Sequence, residues 1–211
     1  MKFTINKNVL AALAVTMPKS DIRYYLNGVL IEVHTRELFA VSADGRRLSA
    51  YHAIHDATED VGSVILGADL VWRLIESRAA PDGSKDLSIV TDGNTAICRE
   101  RCVIGYVVDG KFPDWRSVVA KSISSLDQSR HIDLDPEFVG STGKQARLLR
   151  DPRGPRLCAC RTLNSSYGAL VGFGRPDFFS FIMEIKTDLP VALPEWAKLP
   201  EPQGACAMET A

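Results

Sequence analysis

The sequence has no excess of either charge: 25 basic and 26 acidic residues give a formal net charge of −1 over 211 residues. A protein held to nucleic acid by overwhelming positive charge is thereby excluded, while a local basic face is not. No apolar run approaches the roughly 20 residues that a membrane-crossing helix needs. The opening Met1-Lys2-Phe3-Thr4-Ile5-Asn6 lacks the apolar core of a signal peptide, so a cytoplasmic chain with no membrane partner is expected. Cysteine is scarce and odd in number: Cys98, Cys102, Cys158, Cys160 and Cys206. At this length a disulfide scaffold is not needed. Cys98 with Cys102, and Cys158 with Cys160, could be drawn as zinc ligands. Both pairs lie in strand-like sequence, however, and no histidine pair has finger spacing. Buried free thiols, no metal and no cofactor are the expectation.

Histidine is equally sparse. His34, His52, His55 and His131 are scattered. His52 and His55, with Asp56 beside them, could form a metal or acid–base group or simply polar surface. Gly140-Ser141-Thr142-Gly143-Lys144-Gln145 superficially resembles a phosphate loop. It lacks the spacing and the hydroxyl residue after Lys144, and it falls inside a predicted helix. No catalytic set emerges, and the chain is not expected to be an enzyme.

What is present is periodicity. Helices are predicted over residues 7–17, 68–79 and 135–150. Asn6 caps the first, and Val9, Leu10, Leu13 and Met17 share its apolar face before Pro18 ends it. Leu70, Val71, Leu74 and Ile75 share a face of the second, which Pro81-Asp82-Gly83 stops. Asp135-Pro136-Glu137 opens the third with a capping carboxylate, a proline at the first helical position and an acid in the first turn, while Gly140 and Gly143 weaken it. Strands are predicted over 28–34, 37–43, 48–52, 87–90, 95–99, 102–108, 156–163, 169–173 and 178–186. Turns at Asp44-Gly45 and Asp92-Gly93-Asn94 separate some of them. Short leading strands at 2–5, 63–66 and 131–133 complete a repeat: strand, helix, three strands. Three such units fit, at about 1–55, 60–120 and 130–187. Residues 188–211 hold four prolines and little periodicity, and a mobile tail is predicted there.

In each unit the helix buries one face on the sheet and leaves the other free. Arg73 lies on the free face of the second helix, beside Trp72 and Glu76, and Lys144 and Arg147 share a face of the third. These faces could meet phosphate through a non-specific positive field, or they could be ordinary solvated surface.

Three stretches carry a resemblance. They are Asp21-Ile22-Arg23-Tyr24-Tyr25-Leu26-Asn27-Gly28, Ser42-Ala43-Asp44-Gly45-Arg46-Arg47-Leu48 and Asp109-Gly110-Lys111-Phe112-Pro113-Asp114-Trp115-Arg116. In order and spacing the sequence resembles the bacterial sliding clamp, the beta subunit of DNA polymerase III. The matching motifs are the R-Y-Y-L-N-G strand and T-D-G-H-R-L turn of that family's middle domain and its D-G-R-F-P-D-Y domain boundary. The resemblance covers residues 19–119. The third unit matches only in pattern, Phe181-Ile182-Met183-Glu184-Ile185 standing where the family ends in a strand such as V-V-M-P-M.

The resemblance implies an α+β sliding-clamp fold of β-α-β-β-β units, with helices on the inner face and antiparallel sheets outside. The domain expectation is a two-unit clamp domain over 1–120, a third half-domain over 121–187 and the tail over 188–211. The family's function implies a processivity factor that encircles duplex DNA and tethers polymerase and clamp loader through short linear peptides. A full clamp ring has twelve units, so four copies of a three-unit chain would suffice; a dimer is the other option. The half-domain leaves open sheet edges, where a subunit contact is expected. A non-encircling adaptor or decoy, serving a phage or mobile element, is the alternative.

The family's peptide pocket maps onto Leu26, Gly45, Arg47, Leu48, Pro113, Val118, Ile182, Met183 and Ile185. Its rim is altered: Ala43 stands for the usual Thr, Arg46 for His, Ser117 for Arg and Glu184 for Pro. Leu26, Leu48 and Val118 could equally be plain core residues. Leu48→Asp is expected to abolish peptide binding and to leave the fold largely intact. For DNA, the resemblance and the helix faces together suggest Lys19, Ser20, Arg23, Arg73, Lys144 and Arg147.

Overall fold

Short β-branched segments with alternating burial build the strands, and three amphipathic segments build the helices that cover one face of them. The computed structural model describes residues 1–78, 83–120, 132–161 and 167–185. In chain order these hold β1 (Lys2–Asn6), α1 (Lys7–Ala14), β2 (Gly28–Val33), β3 (Glu37–Ala43), β4 (Arg47–Ile54), β5 (Gly62–Gly67), α2 (Ala68–Glu76), β6 (Asp86–Asp92), β7 (Thr95–Cys98), β8 (Val103–Val108), α3 (Trp115–Ala120), α4 (Pro136–Leu148), β9 (Arg156–Arg161), β10 (Tyr167–Gly172) and β11 (Phe178–Met183). No helix among the described residues is long and apolar enough to cross a membrane.

The strands lie in the order β1-β6-β7-β8-β5-β2-β3-β4-β11-β10-β9, every neighbouring pair antiparallel. The first two units exchange leading strands. β1 pairs with β6 of the second unit, and β5 pairs with β2 of the first. The third unit departs from the expected repeat. His131 lies outside the described residues, and residues 132–135 form no strand. A backbone bond from Ile185 N–H, just beyond β11, to the Asp133 carbonyl at 2.8 Å ties that segment down. One edge of the third meander is closed within the chain, because β11 pairs with β4. β9 ends the sheet on that side.

Two apolar layers flank the sheet. On one face α1, α2 and α4 bury Leu10, Leu13, Leu70, Leu74 and Ala146 against Ile5, Ile31, Leu87, Phe178 and Ile182. On the opposite face, Phe112, Trp115 and Val119 cover Leu30, Val41, Leu48, Ala50 and Ile65 of the β5-β2-β3-β4 region. The outer face of β6-β7-β8 keeps a row of Val90, Ile97 and Ile104 in register across three strands. Val90 and Ile104 there are exposed.

The helices start as predicted and stop sooner. Asn6 accepts from Asn8 N–H, and Asp135 accepts from Glu137 N–H. α1 ends at Ala14 because Thr16 and Met17 turn into tighter bonds ahead of Pro18, and the Thr16 hydroxyl takes the Leu13 carbonyl. α2 ends at Glu76, where Ser77 swings to an extended ψ of 148°. The Gly140–Gln145 segment sits inside α4, so it is no phosphate loop. α3 was not foreseen; it is one short turn that Asp114 caps through Ser117 N–H and hydroxyl. Cys98 and Cys160 are buried, whereas Cys102 is exposed, contrary to the expectation for all thiols. Burial pushes the Cys98 and Cys160 thiols up from their ordinary pKa. Cys206 and the predicted tail lie outside the described residues.

A buried polar knot joins the third unit to the first. Gln145 of α4, fully buried, donates from Nε2 to the Ala12 carbonyl at 3.0 Å and to Ser49 Oγ at 2.8 Å. Its Oε1 accepts from Ser180 Oγ at 3.1 Å, and the Ser49 and Ser180 hydroxyls share a 2.7 Å bond. Buried polar groups cost most when one partner is removed. Gln145→Ala is therefore expected to lower unfolding free energy by about 2–4 kcal/mol in urea denaturation. A loss below about 0.5 kcal/mol, the range of ordinary surface changes, would contradict the role given to the knot.

Candidate peptide-binding groove and basic surfaces

The Asp44-Gly45-Arg46-Arg47 turn is built by its own aspartate. Asp44 Oδ1 accepts from the backbone N–H of Arg46 and of Arg47, both at 2.9 Å, and Oδ2 takes Arg47 Nε at 2.7 Å. Gly45 has φ +88°, and a Cβ there would sit 2.6 Å from the Arg23 guanidinium nitrogens. Only glycine meets both demands. Arg23 in turn is clamped by Asp21 through Nε at 2.9 Å and Nη2 at 2.7 Å, and it donates to the Asp44 carbonyl at 3.1 Å.

β11 lies beside this turn, with Phe181 opposite Leu48 and Ile182 opposite Arg47. Met183 N–H donates to the Arg46 carbonyl at 2.8 Å. A Cβ on Gly168 would fall 2.6 Å from the Phe181 ring, so the glycine leaves room for that ring. Arg47 reaches on to α4, donating to Ser141 Oγ at 2.9 Å with its guanidinium 4.4 Å from the centre of the Phe138 ring. The result is a groove of about 230 Å³ lined by Arg23, Tyr25, Leu26, Ala43, Gly45, Arg46, Arg47, Leu48, Phe112, Pro113, Trp115, Phe181 and Met183. Its floor is apolar, and its rim carries three guanidiniums.

The structure brings together Leu26, Gly45, Arg47, Leu48, Pro113 and Met183 of the residues expected there. Ile182 is not among them: strand alternation points it into the helix-side core, where it is 1% exposed. Ile185 lies beyond β11, exposed and outside the lining. The side chain of Val118 lies outside the described residues. Tyr25, Phe112, Trp115 and Phe181 belong to the wall, and all four sit in the motif stretches already singled out; applying the two-residue strand period to 181–183 would have found Phe181. Leu48 is 6% exposed and packs in the second core, so a carboxylate there would disturb the fold as well as the groove.

The six residues suggested for DNA divide into separate surfaces. Lys19, Ser20 and Arg23 are exposed on the loop after α1, and Arg23 also lines the groove. Lys144 and Arg147 are exposed on α4, with Arg150 just beyond them. Arg73 of α2 donates to the Ile104 carbonyl at 2.8 Å, lies 3.8 Å from Asp69, and shares its exposed face with Glu76. Of the scattered histidines, His52 stacks on Phe39 and meets Glu37 Oε1 at 3.0 Å. No group of three or more metal-ligating side chains occurs among the described residues.

The profile of the family described as DNA polymerase III beta subunit, central domain, matches residues 2–114. A beta sliding clamp of Escherichia coli is 28% identical over 153 residues, covering 72% of this chain and 40% of that protein. One of Pseudomonas putida is 32% identical over 121 residues, covering 57% of this chain and 33% of that protein. The chain thus spans about 40% or less of the length of these relatives. A crystal structure of a DNA polymerase sliding clamp from Pseudomonas aeruginosa superposes with a TM-score of 0.56 at 19% identity, over 89% of this chain and 67% of that one. A beta sliding clamp of C. crescentus gives 0.55 at 15% identity, over 88% and 65%. At these identities the superpositions show a shared fold.

Side-chain hydrogen bonds from the Arg23 guanidinium, together with one from the Arg23 backbone N–H, hold the Asp21 carboxyl at a pKa of about 2. A lowered carboxylate pKa means that the pair contributes at neutral pH and is lost as pH falls through about 2. Arg23→Gln is expected to raise the Asp21 midpoint toward the ordinary carboxylate range in a carbon-13 NMR titration. An unmoved midpoint would show that Arg23 does not anchor this side of the groove.

Proposed function

This chain belongs to the DNA polymerase III beta subunit family, and from that membership we propose that it acts as a sliding-clamp-like processivity factor. Copies join into a ring around duplex DNA, the helix layer faces the bore, and the groove between the 44–47 turn and β11 tethers polymerase or loader peptides. Two clamp units over 1–120 and a third over 121–187 make the repeating body. Four copies would supply the twelve units of a clamp ring. The protein's part is mechanical, with no catalytic step.

The groove carries this reading. It is concave, apolar at its floor and polar at its rim, the form in which an extended peptide is held by pockets for its larger side chains. Each buried leucine or phenylalanine anchor contributes roughly 1.5–3 kcal/mol before the cost of association, so a tight complex needs several anchors acting together with backbone contacts. The exposed cations of α4, with Lys19 on the loop after α1, fit a weak, salt-sensitive hold on phosphate, which a sliding protein needs. The edge of β9, which no strand among the described residues covers, is the natural place for a subunit contact.

Three measurements test the proposal. Met183 is half-buried on the groove wall, so Met183→Glu probes the groove with less harm to the core than a change at Leu48. It is expected to weaken a fluorescent apolar-anchored peptide at least tenfold in fluorescence polarisation, with the circular dichroism spectrum retained; unchanged affinity would contradict the groove. Lys144→Ala with Arg147→Ala is expected to reduce the slope of log affinity for duplex DNA against log salt by about one per residue. Loading on nicked circular DNA, with release on linearisation, is the result a ring requires. Peptide binding without topological retention would favour the adaptor reading.

A further inference from the structure

The first two units follow one rule of assembly. Each leading strand lies antiparallel on the first strand of the other unit's meander, and the residue that caps its helix stands opposite that strand's first residue. Asn6, the cap of α1, faces Asp86, with Ile5 opposite Leu87 and Phe3 opposite Ile89. Gly67, before α2, faces Gly28, with Leu66 opposite Val29 and Val64 opposite Ile31. The receiving residues Leu87 and Val29 are both 0% exposed. Asn6 Nδ2 also donates to Asp86 Oδ1 at 2.9 Å, which ties the cap to the receiving strand.

The third unit has the same parts without this exchange. Ile132-Asp133-Leu134 precedes the α4 cap Asp135 as Phe3-Thr4-Ile5 precedes Asn6, with apolar residues in the same places. One side of the segment is taken. Ile185 N–H bonds the Asp133 carbonyl, as Ile65 and Leu66 of β5 pair with Val108 and Val107 at the end of their own meander. In an extended chain the backbone groups of Ile132 and Leu134 point to the other side, where no strand pairs with them among the described residues. No described strand covers β9 either, and Leu157, the counterpart of Leu87 and Val29, is 42% exposed. β10 separates β9 from β11, beside which the segment is held, so the segment and β9 of one copy lie apart.

We propose that two copies complete the exchange reciprocally: residues 132–135 of each chain add as a strand to β9 of the other, and two third units close into one clamp domain about a twofold axis. This deepens the reading of the β9 edge as a subunit contact and rests on it. Carrying the register across sets Asp135 opposite the partner's Arg156, Leu134 opposite the partner's Leu157 and Ile132 opposite the partner's Ala159. The occupant is a second copy of this chain because the charges match. The place of the bonded Asn6–Asp86 pair is taken by Asp135 and Arg156, opposite charges facing across the strands. Twofold symmetry makes each such pair twice. The same contact covers Leu157 in both copies and leaves β9 no open edge. Such a pair supplies half of the units of the proposed ring, which then becomes a dimer of dimers.

Sedimentation velocity of the full chain tests this. The unaltered protein is expected to run at the mass of two or four chains. Leu157→Asp and Arg156→Glu each change an exposed side chain, and each is expected to halve that mass with the circular dichroism spectrum retained. Mixing Arg156→Glu with Asp135→Lys is expected to regain it, because each copy then meets the opposite charge. Hydrogen exchange on the unaltered protein reads the register with no substitution, so it stands whether or not Asp135→Lys keeps its helix cap. The amides of Ile132 and Leu134 are expected to slow about tenfold or more as concentration rises through the association range. One exchange rate for these amides at every concentration, or a mass that survives both single substitutions, would overturn the reciprocal strands and leave the subunit contact to another edge. A monomer at every concentration would overturn the subunit contact, and this inference with it.

Discussion

The antiparallel seam between β4 and β11 determines what this molecule can be. Five residue pairs form it, from Arg47 opposite Ile182 to Tyr51 opposite Phe178. Backbone hydrogen bonds contribute only about 0.5–1.5 kcal/mol each, net of those lost to water. Burial of Phe178, Phe181 and Ile182, each worth roughly 1.5–3 kcal/mol as an upper bound, is the larger share. The register is fixed by polar chemistry. Ser49 stands opposite Ser180, the two hydroxyls bond each other, and Gln145 bonds both. A one-residue slip would carry Phe181 to the helix side and Ile182 to the groove, and it would bury hydroxyls without partners. The same seam that joins the third unit to the first therefore also forms the groove wall.

The exchange of leading strands explains why the third unit behaves differently. In the first two units each leading strand lies on the other's meander, so the two close on one another. The third meander uses the edge of β4 instead, and α4 docks on α1 through Gln145. The helix layer that results is not uniformly basic. α4 presents Lys144 and Arg147, with Arg150 just past its end, while the single arginine on the exposed face of α2 lies among Asp69, Trp72 and Glu76. Exposed positive charge in this layer is concentrated at α4 and the turn that follows it.

Much of this was legible in residue order. Asp44-Gly45 announced its turn because a short acid and a glycine have few other uses between two apolar runs, and β3 occupies its expected span, Glu37–Ala43. Asn6 and Asp135 marked helix starts through the same capping chemistry that the structure shows. What local pattern could not show was long-range partnership. The 131–133 segment has strand composition, yet β11 found its partner in β4, more than 120 residues away in sequence. Ile182 and Phe181 look alike in composition, and only the pairing partner decides which one faces the groove. Arg23 read as a free cation on a loop, because nothing in sequence spacing says that Asp44, 21 residues on, brings its carbonyl to that guanidinium. The six residues of α3 were too few to carry a helical period.

The central claim, that β4 and β11 together make one peptide-binding wall, is tested most directly by methyl NMR of the full chain titrated with an apolar-anchored peptide. The account predicts that the methyl signals of Leu26 and Leu48, from the first unit, and of Met183, from the third, shift together along one binding curve. Shifts confined to the outer-face row of Val90, Ile97 and Ile104, or at Leu26 and Leu48 without Met183, would contradict it.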